Sequence, residues 1–225
     1  MIVLGFDTAT PATSVALLDS ARPGAAAERR HEPAAGERPG HAAQLLALAA
    51  ELLRSAGLGF GDVDRIGVGV GPGTFTGLRI GVATARALAQ SARAELVGVS
   101  TLRALAVAAE PAAPPGSGVL AVIDARRGEA FAAGWRGGDP VIGQLAAAPE
   151  RLAQLVAGER GAWLAVGDGA LRFREDLERV GCTVPAAAEQ HGVRALAVCR
   201  LALEAVLLCC GGNRAADAFQ VLAKS

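Results

Sequence analysis

Three groups of residues in this sequence have the types and spacing that chemistry requires. The first is the loop Gly71-Pro-Gly-Thr-Phe-Thr-Gly-Leu-Arg-Ile-Gly81, set between an apolar run and a helical pattern. Ligands of α/β proteins bind at such junctions, because free amides and the positive end of a helix dipole converge there. Gly71, Gly73 and Thr74, with Asp7, Thr8 and Thr10 of the turn Asp7-Thr-Ala-Thr-Pro11, are therefore candidates to contact a nucleotide or another anion. Two phosphate-binding templates fail here. No Lys-Ser/Thr pair follows Gly77, and Thr76 stands where a G-x-G-x-x-G pattern opening at Gly71 needs its last glycine. A packing reading competes: Gly73, Gly77, Gly81 and Ala85 lie four residues apart, which on a helix makes a smooth stripe that another helix can approach closely. Taken alone, the stripe favours helix–helix contact over catalysis.

The second group is Asp124, Arg126 and Glu129, with Arg127, around a turn after an apolar run. The planar fork of Arg126 suits a phosphate or a partner's carboxylate; a surface turn of weak mutual ion pairs fits equally. The third group comprises metal ligands and nucleophiles, and it is sparse. There are three histidines (His31, His41, His191) and four cysteines (Cys182, Cys199, Cys209, Cys210), with no C-x-x-C pair and no zinc-ligand spacing. Lys224 is the only lysine, which removes Schiff-base chemistry elsewhere. Ser100 and Thr101 carry hydroxyls without a histidine near in sequence, and N-capping of a helix accounts for Ser100. Asp7 has two readings, a magnesium ligand acting through water or an Asx residue capping its own turn.

The elements that position these residues alternate. Met1–Phe6 and Thr13–Leu18 predict strands of a hairpin, with a weak third strand at 25–31. Leucines at three- and four-residue intervals predict a helix over His41–Ala56, and Gly57 and Gly59 end it. A strand at Val63–Val70, a helix at Thr76–Ala92, a strand at Glu95–Val99 and a helix after Ser100 follow. Pro, Ala, Gly and Ser at Glu110–Gly118 mark the one internal boundary. Beyond it the pattern predicts strands at Val119–Asp124 and Glu129–Trp135, a helix at Pro149–Val156, a strand at Ala162–Val166, and helices at Leu171–Val180 and Val193–Cys210. The class is α/β with two similar lobes, 1–110 and 111–225.

Composition bounds the function. Apolar residues make up 52% and charged residues 20%, enough for a buried core. Lys+Arg 22 against Asp+Glu 22 leaves no basic surplus for a free-standing nucleic-acid binder, though not for a protein that meets RNA through a partner. No leader pattern or membrane-length apolar run occurs, so the expectation is a cytoplasmic protein with reduced thiols and no membrane association.

The loop at 71–81, preceded by Phe6-Asp-Thr-Ala-Thr10 and followed by Val97-Gly-Val-Ser-Thr-Leu102 and Ile123-Asp-Ala-Arg-Arg-Gly-Glu129, resembles the bacterial TsaB family over residues 1 to about 135. The resemblance implies a two-lobed actin/Hsp70-like (ASKHA, ribonuclease H-like) fold of mixed sheets flanked by helices. It implies a non-catalytic partner of TsaD, which transfers a threonylcarbamoyl group from threonylcarbamoyl-AMP to the adenosine beside the anticodon of tRNA. It further implies an ATPase, TsaE, in the same complex, contact with tRNA through that complex, no required cofactor, and weak ATP or ADP binding at a complex interface. The resemblance implies that the face formed by the first two helices serves both self-association and pairing with TsaD. Leu45, Leu48, Leu52, Gly77, Gly81 and Ala85 are the residues expected there, as a four-helix interface.

Departures from active relatives point the same way. TsaD-like proteins carry two histidines four apart on the first long helix; here His41 is followed by Leu45, which cannot ligate a metal, so no metal site is expected and His41 reads as a surface or capping residue. The turn at 7–11 lacks glycine, and Pro11 removes a donor. The tail 211–225 lacks the family's usual closing segment, with Phe219-Gln-Val-Leu222 as a diverged counterpart. The alternatives are a nucleotide-dependent phosphotransferase or ATPase of the same superfold, which this turn argues against, and a peptidase, for which no metal or nucleophile–base pair is found.

Overall fold

The computed structural model describes residues 1–209 apart from Pro23 and Ala35; Cys210 and the expected tail segment 211–225 lie outside the described residues. The first half folds as β1 (Ile2–Asp7), β2 (Thr13–Asp19), β3 (Ala26–His31), α1 (His41–Ser55), β4 (Arg65–Gly69), α2 (Phe75–Ala92), β5 (Glu95–Val99) and α3 (Thr101–Ala109). The second contains β6 (Gly118–Asp124), β7 (Ala130–Arg136), β8 (Asp139–Ala147), α4 (Pro149–Gly158), β9 (Trp163–Val166), α5 (Asp168–Arg172), α6 (Arg174–Arg179), β10 (Cys182–Thr183) and α7 (Ala195–Cys209). The sheets run β3-β2-β1-β4-β5 and β8-β7-β6-β9-β10, so both halves follow one plan: an antiparallel three-strand meander extended by two parallel strands. This is the two-lobed α/β architecture that the sequence predicts.

Period-2 alternation in the central strands assigns each side chain to a layer. In β1, Leu4 and Phe6 face outward and are buried with Leu45, Leu52 and Leu53 of α1 and Ala85 of α2, while Val3 faces the other sheet. In β6, Leu120 and Val122 pack outward with Leu152, Val156 and Leu177 beneath α4 and α6, while Val119, Ala121 and Ile123 face inward. Between the sheets lie α3 and α7. Helix α3, from before the compositional boundary, packs on β6, β7 and β9; α7, from the end of the chain, packs on β1, β2 and β4, and the two touch. The sequence segments on either side of 110 therefore each lend a helix to the other's sheet.

Two elements went unread in the sequence. Strand β8 pairs antiparallel with β7 at the edge of its sheet, and its exposed positions, Pro140 and Gly143 erase the alternation that marks a strand. β10 is only two residues long. The helix expected over 171–180 is two short ones, broken at Phe173.

Close approach of α7 depends on two glycines. A Cβ on Gly5 would lie 2.6 Å from Cys199 Sγ, and one on Gly67 would lie 2.8 Å from the Ala202 methyl. The Cys199 thiol donates to the Ala16 carbonyl at 3.4 Å, and burial pushes its pKa far up, so it behaves as a small core residue. Gly5→Ala should lower stability by about 1–3 kcal/mol in urea unfolding through overpacking, whereas Gly61→Ala, whose Cβ would meet nothing within 4 Å, should leave the midpoint unchanged.

Candidate functional site

Asp7, at the end of β1, is wholly buried. Its Oδ1 accepts the Ala9 amide at 2.8 Å, which is the Asx turn. Its Oδ2 accepts the Thr101 hydroxyl at 3.0 Å, and that hydroxyl accepts the Gly71 amide at 3.2 Å. Thr101 also donates its own amide to the Gly71 carbonyl at 2.8 Å. Asp7 thus ties β1 to the glycine loop and to the start of α3, where Ser100 Oγ caps the helix by accepting the Arg103 amide. Burial pushes the Asp7 pKa up, against the lowering effect of the Ala9 amide, the Thr101 hydroxyl and the Arg30 charge.

The turn and the loop fill each other's space. Thr8 Oγ1 donates to the Gly77 carbonyl at 2.8 Å, and the Thr74 amide donates to the Ala9 carbonyl at 2.7 Å. Any Cβ on Gly73 or Gly77 would overlap the carbonyl oxygen of Ala9 or Thr8, and one on Gly81 would strike the Thr8 hydroxyl. The glycine stripe thus receives the chain's own first turn. Of the residues expected at an interface, Leu45, Leu52, Gly77, Gly81 and Ala85 are buried within the chain, and Leu48 is half-buried against the same core. Spacing identifies a face that something approaches closely; it does not say what approaches.

Of the anion candidates, Thr10 alone lines the cleft between the lobes. That cleft holds about 290 Å³ among Thr10, Arg30, Glu32, Asp168, His191 and Gly192, and a neighbouring hollow of about 410 Å³ is lined by Glu28, Arg30, Glu32, Glu189 and Arg194. Arg30 pairs with Glu32 and donates to the Val193 carbonyl at 3.0 Å, while Arg194 pairs with Glu28. Glu189 and Asp168 remain without a cation among the described residues. An excess of carboxylates repels polyphosphate. His191 Nδ1 lies 3.1 Å from the Gly167 amide nitrogen and 3.0 Å from the Gly167 carbonyl oxygen, and Nε2 lies 2.8 Å from the Pro185 carbonyl oxygen. None of Arg30, Asp168 and His191 stands out in the sequence. Recognising that β6–β10 repeat β1–β5 would have placed Asp168, just after β9, beside the end of β6.

At the second lobe's turn, Asp124 Oδ1 accepts the Arg126 amide at 2.8 Å, and Oδ2 pairs with Arg172 at 2.7 Å. Burial raises the Asp124 pKa, but the Arg126 amide and the Arg172 guanidinium outweigh it and hold the carboxyl below its usual range. Arg126 enters through its backbone, with φ +71° and an exposed side chain, and Glu129 through its carbonyl, which accepts the Ala125 amide. The predicted trio is therefore a turn closed by Asp124 and an arginine from α5. His41, expected at the surface, is buried at the start of α1 with Nδ1 2.8 Å from Thr13 Oγ1; burial and the neighbouring His31 push its pKa down. Among the described residues no three His, Cys, Asp or Glu side chains gather as a metal site, and no helix is long and apolar enough to cross a membrane.

Large apolar side chains are exposed at Leu96, Val141 and Leu171 and on the outer surface of α1 and α2. Leu46 is 46% exposed and Phe75 73%, and the Arg79 guanidinium lies 5.2 Å from the Phe75 ring centre.

Comparison with known proteins gives three kinds of match. The family model described as "TsaD: tRNA N6-adenosine threonylcarbamoyltransferase" matches residues 33–207. The tRNA threonylcarbamoyladenosine biosynthesis protein TsaB of Escherichia coli (strain K12) is 34% identical over 174 residues, 75% of this chain and 72% of its own. Among solved structures, YeaZ from Pseudomonas aeruginosa superposes with a TM-score of 0.74 at 28% identity, covering 92% of both chains. A ROK hexokinase from Thermus thermophilus shares the fold alone, with a TM-score of 0.56 at 17% identity.

Because burial holds Asp7 above its ordinary value of 3.8 in the folded state, ionising it costs stability. Its favourable contribution is complete below the unfolded pKa and is lost as pH rises through the folded one. Asp7→Asn removes that titration. The difference in urea midpoint between variant and parent should therefore shift in the variant's favour from pH 4 towards pH 7, and parallel profiles would refute the assignment.

Proposed function

This chain belongs to the TsaB family, and we propose that within tRNA threonylcarbamoyladenosine biosynthesis, the work its relatives are named for, it is a non-catalytic subunit that binds TsaD and activates it. In this reading TsaD transfers the threonylcarbamoyl group to the adenosine beside the anticodon, and this chain supplies binding surface. The observation that carries the reading is the occupied cradle. Asp7 is engaged by Ala9 and Thr101, Thr74 closes on Ala9, and Gly73 and Gly77 are pressed against the turn. The Ala9, Gly71 and Thr74 amides are already engaged inside the chain, and Glu189 and Asp168 of the adjoining cleft and hollow pair with no cation among the described residues.

The outer face of α1 and α2 is the surface that fits a partner. It combines an exposed Phe, an exposed Leu and arginines, the residue types that anchor interfaces. In this proposal a second copy of the chain is the competing occupant of that face, TsaE joins the same assembly, tRNA is gripped through the complex, and the work is done in the cytoplasm. No cofactor of the chain's own is required, and ATP or ADP binds weakly at the interface with the partner.

The test is co-purification with TsaD of the same organism, with threonylcarbamoyl transfer to tRNA assayed for each protein alone and for both. Activity only in the mixture is expected. Phe75→Asp, at a 73% exposed position, should leave the fold intact and weaken the complex at least tenfold. No complex, together with ATP hydrolysis by this chain alone, would instead establish the phosphotransferase reading.

A further inference from the structure

We infer that Arg136 and Trp163 supply the donors of a binding site for a small inorganic anion, at the end of the second sheet opposite Asp124. β7 ends at Arg136, β6 begins at Gly118 and β9 begins at Trp163, so the three meet at that end. The Trp163 indole is buried on the outer face of the sheet with Leu120, Ile142 and Leu152, and a Cβ on Gly134 would stand 2.9 Å from its ring. Arg136 covers the indole, its guanidinium carbon 4.9 Å from the ring centre. Its Nη1 donates to the Gly116 carbonyl at 3.1 Å and would lie 2.5 Å from a Cβ on Gly161. Arg136 therefore holds the segment leading into β6 against the one leading into β9.

Two donors in this stack lack an acceptor. Arg136 Nη2 and Trp163 Nε1 are both shielded from solvent, and neither has a hydrogen-bond partner among the described residues. Guanidinium and indole N–H groups can only donate, so neither can satisfy the other. A buried donor left without an acceptor is destabilising, and more so when it belongs to a charged group. A guanidinium stacked on an indole keeps the N–H groups of both at the rims of the two planes, where one acceptor can receive from each.

Carboxylates near this stack are engaged elsewhere or turned to solvent. Arg136 makes no ion pair among the described residues. Asp139, opposite Arg136 in the β7–β8 ladder, is exposed and pairs with no cation among them, and the same holds for Glu159. Glu110 is taken by Arg103 at 2.8 Å, and that guanidinium covers Trp135 at 5.3 Å from its ring centre. A water molecule accepting from both donors would leave the guanidinium charge uncompensated, whereas an anion accepts from both and neutralises it. Arg160, exposed beside Gly161, adds positive potential. Close packing at Gly134 and Gly161 favours a halide-sized anion over a polyatomic one.

The chain has two tryptophans, Trp135 and Trp163, so Trp135→Phe in the full chain leaves Trp163 as the only indole fluorophore. Trp163 is 3% exposed, which protects it from collision with a dissolved quencher; an anion held beside it is not so excluded. Bromide, a heavy-atom quencher, is titrated at constant ionic strength, and chloride is then added as competitor. Saturable quenching that chloride reverses is the expected result. Arg136→Gln in the same background should weaken bromide binding about tenfold. Arg136→Lys, which keeps the charge but not the planar fork, gives the same comparison if the glutamine variant loses its thermal transition. No quenching of Trp163, or quenching that rises linearly without saturation, would overturn the site. Saturable quenching that is unchanged in a folded Arg136 variant would place the anion elsewhere and overturn it too. Bromide binding that appears only after Asp139→Asn would make Asp139 the acceptor in the parent chain, with the same consequence.

Discussion

Both five-stranded sheets are apolar on both faces, and each face must be covered. Leu4 and Phe6 point to one side of β1 while Val3 points to the other; Leu120 and Val122 oppose Val119, Ala121 and Ile123 in β6. Four apolar faces need more helix than either half of the chain supplies on one side. The chain meets this by placing α3 and α7 between the sheets, each against the sheet of the other half. Everything near the ends of β1 and β6 is then held from two directions, which is why the turns there are buried or pinned.

The Asp7 junction follows from that geometry. Because α3 begins at the inter-sheet layer, Thr101 arrives under the end of β1 and bonds Asp7 and Gly71 together. The glycine loop is drawn onto the turn, and glycine is required wherever the two backbones meet. At Asp124, the corresponding place in β6, Arg172 supplies the compensation, so one carboxyl is raised by burial and the other lowered by its charged neighbours. The same fold position thus has opposite electrostatics in the two halves. At Asp7 the Gly71 and Thr74 amides are already engaged inside the chain, while the outer helical layer carries the exposed Phe75.

Much of this was legible in the residues. The hairpin at the start, helices α1 and α2, the strand at 95–99 and the Ser100 cap carry strong local signals of alternation, leucine spacing and capping. The loop at 71–81 and its flanking motifs pointed to the family. Strand β8 was hidden because an exposed edge strand containing Pro140 and Gly143 has little alternation to read. Arg30, Asp168, His191 and Arg172 were hidden because their roles arise only when separate elements converge.

Gly77, Gly81 and Ala85 mark the limit most clearly. By itself the sequence determined that one side of α2 is smooth and closely approached, and that the chain alternates strands and helices in two similar halves. Only the tertiary structure decided that the smooth side meets the chain's own Thr8, and that α3 and α7 cover each other's sheets. The physical reason is that local spacing fixes which face of an element is apolar or small, whereas the identity of what covers that face is set by long-range packing.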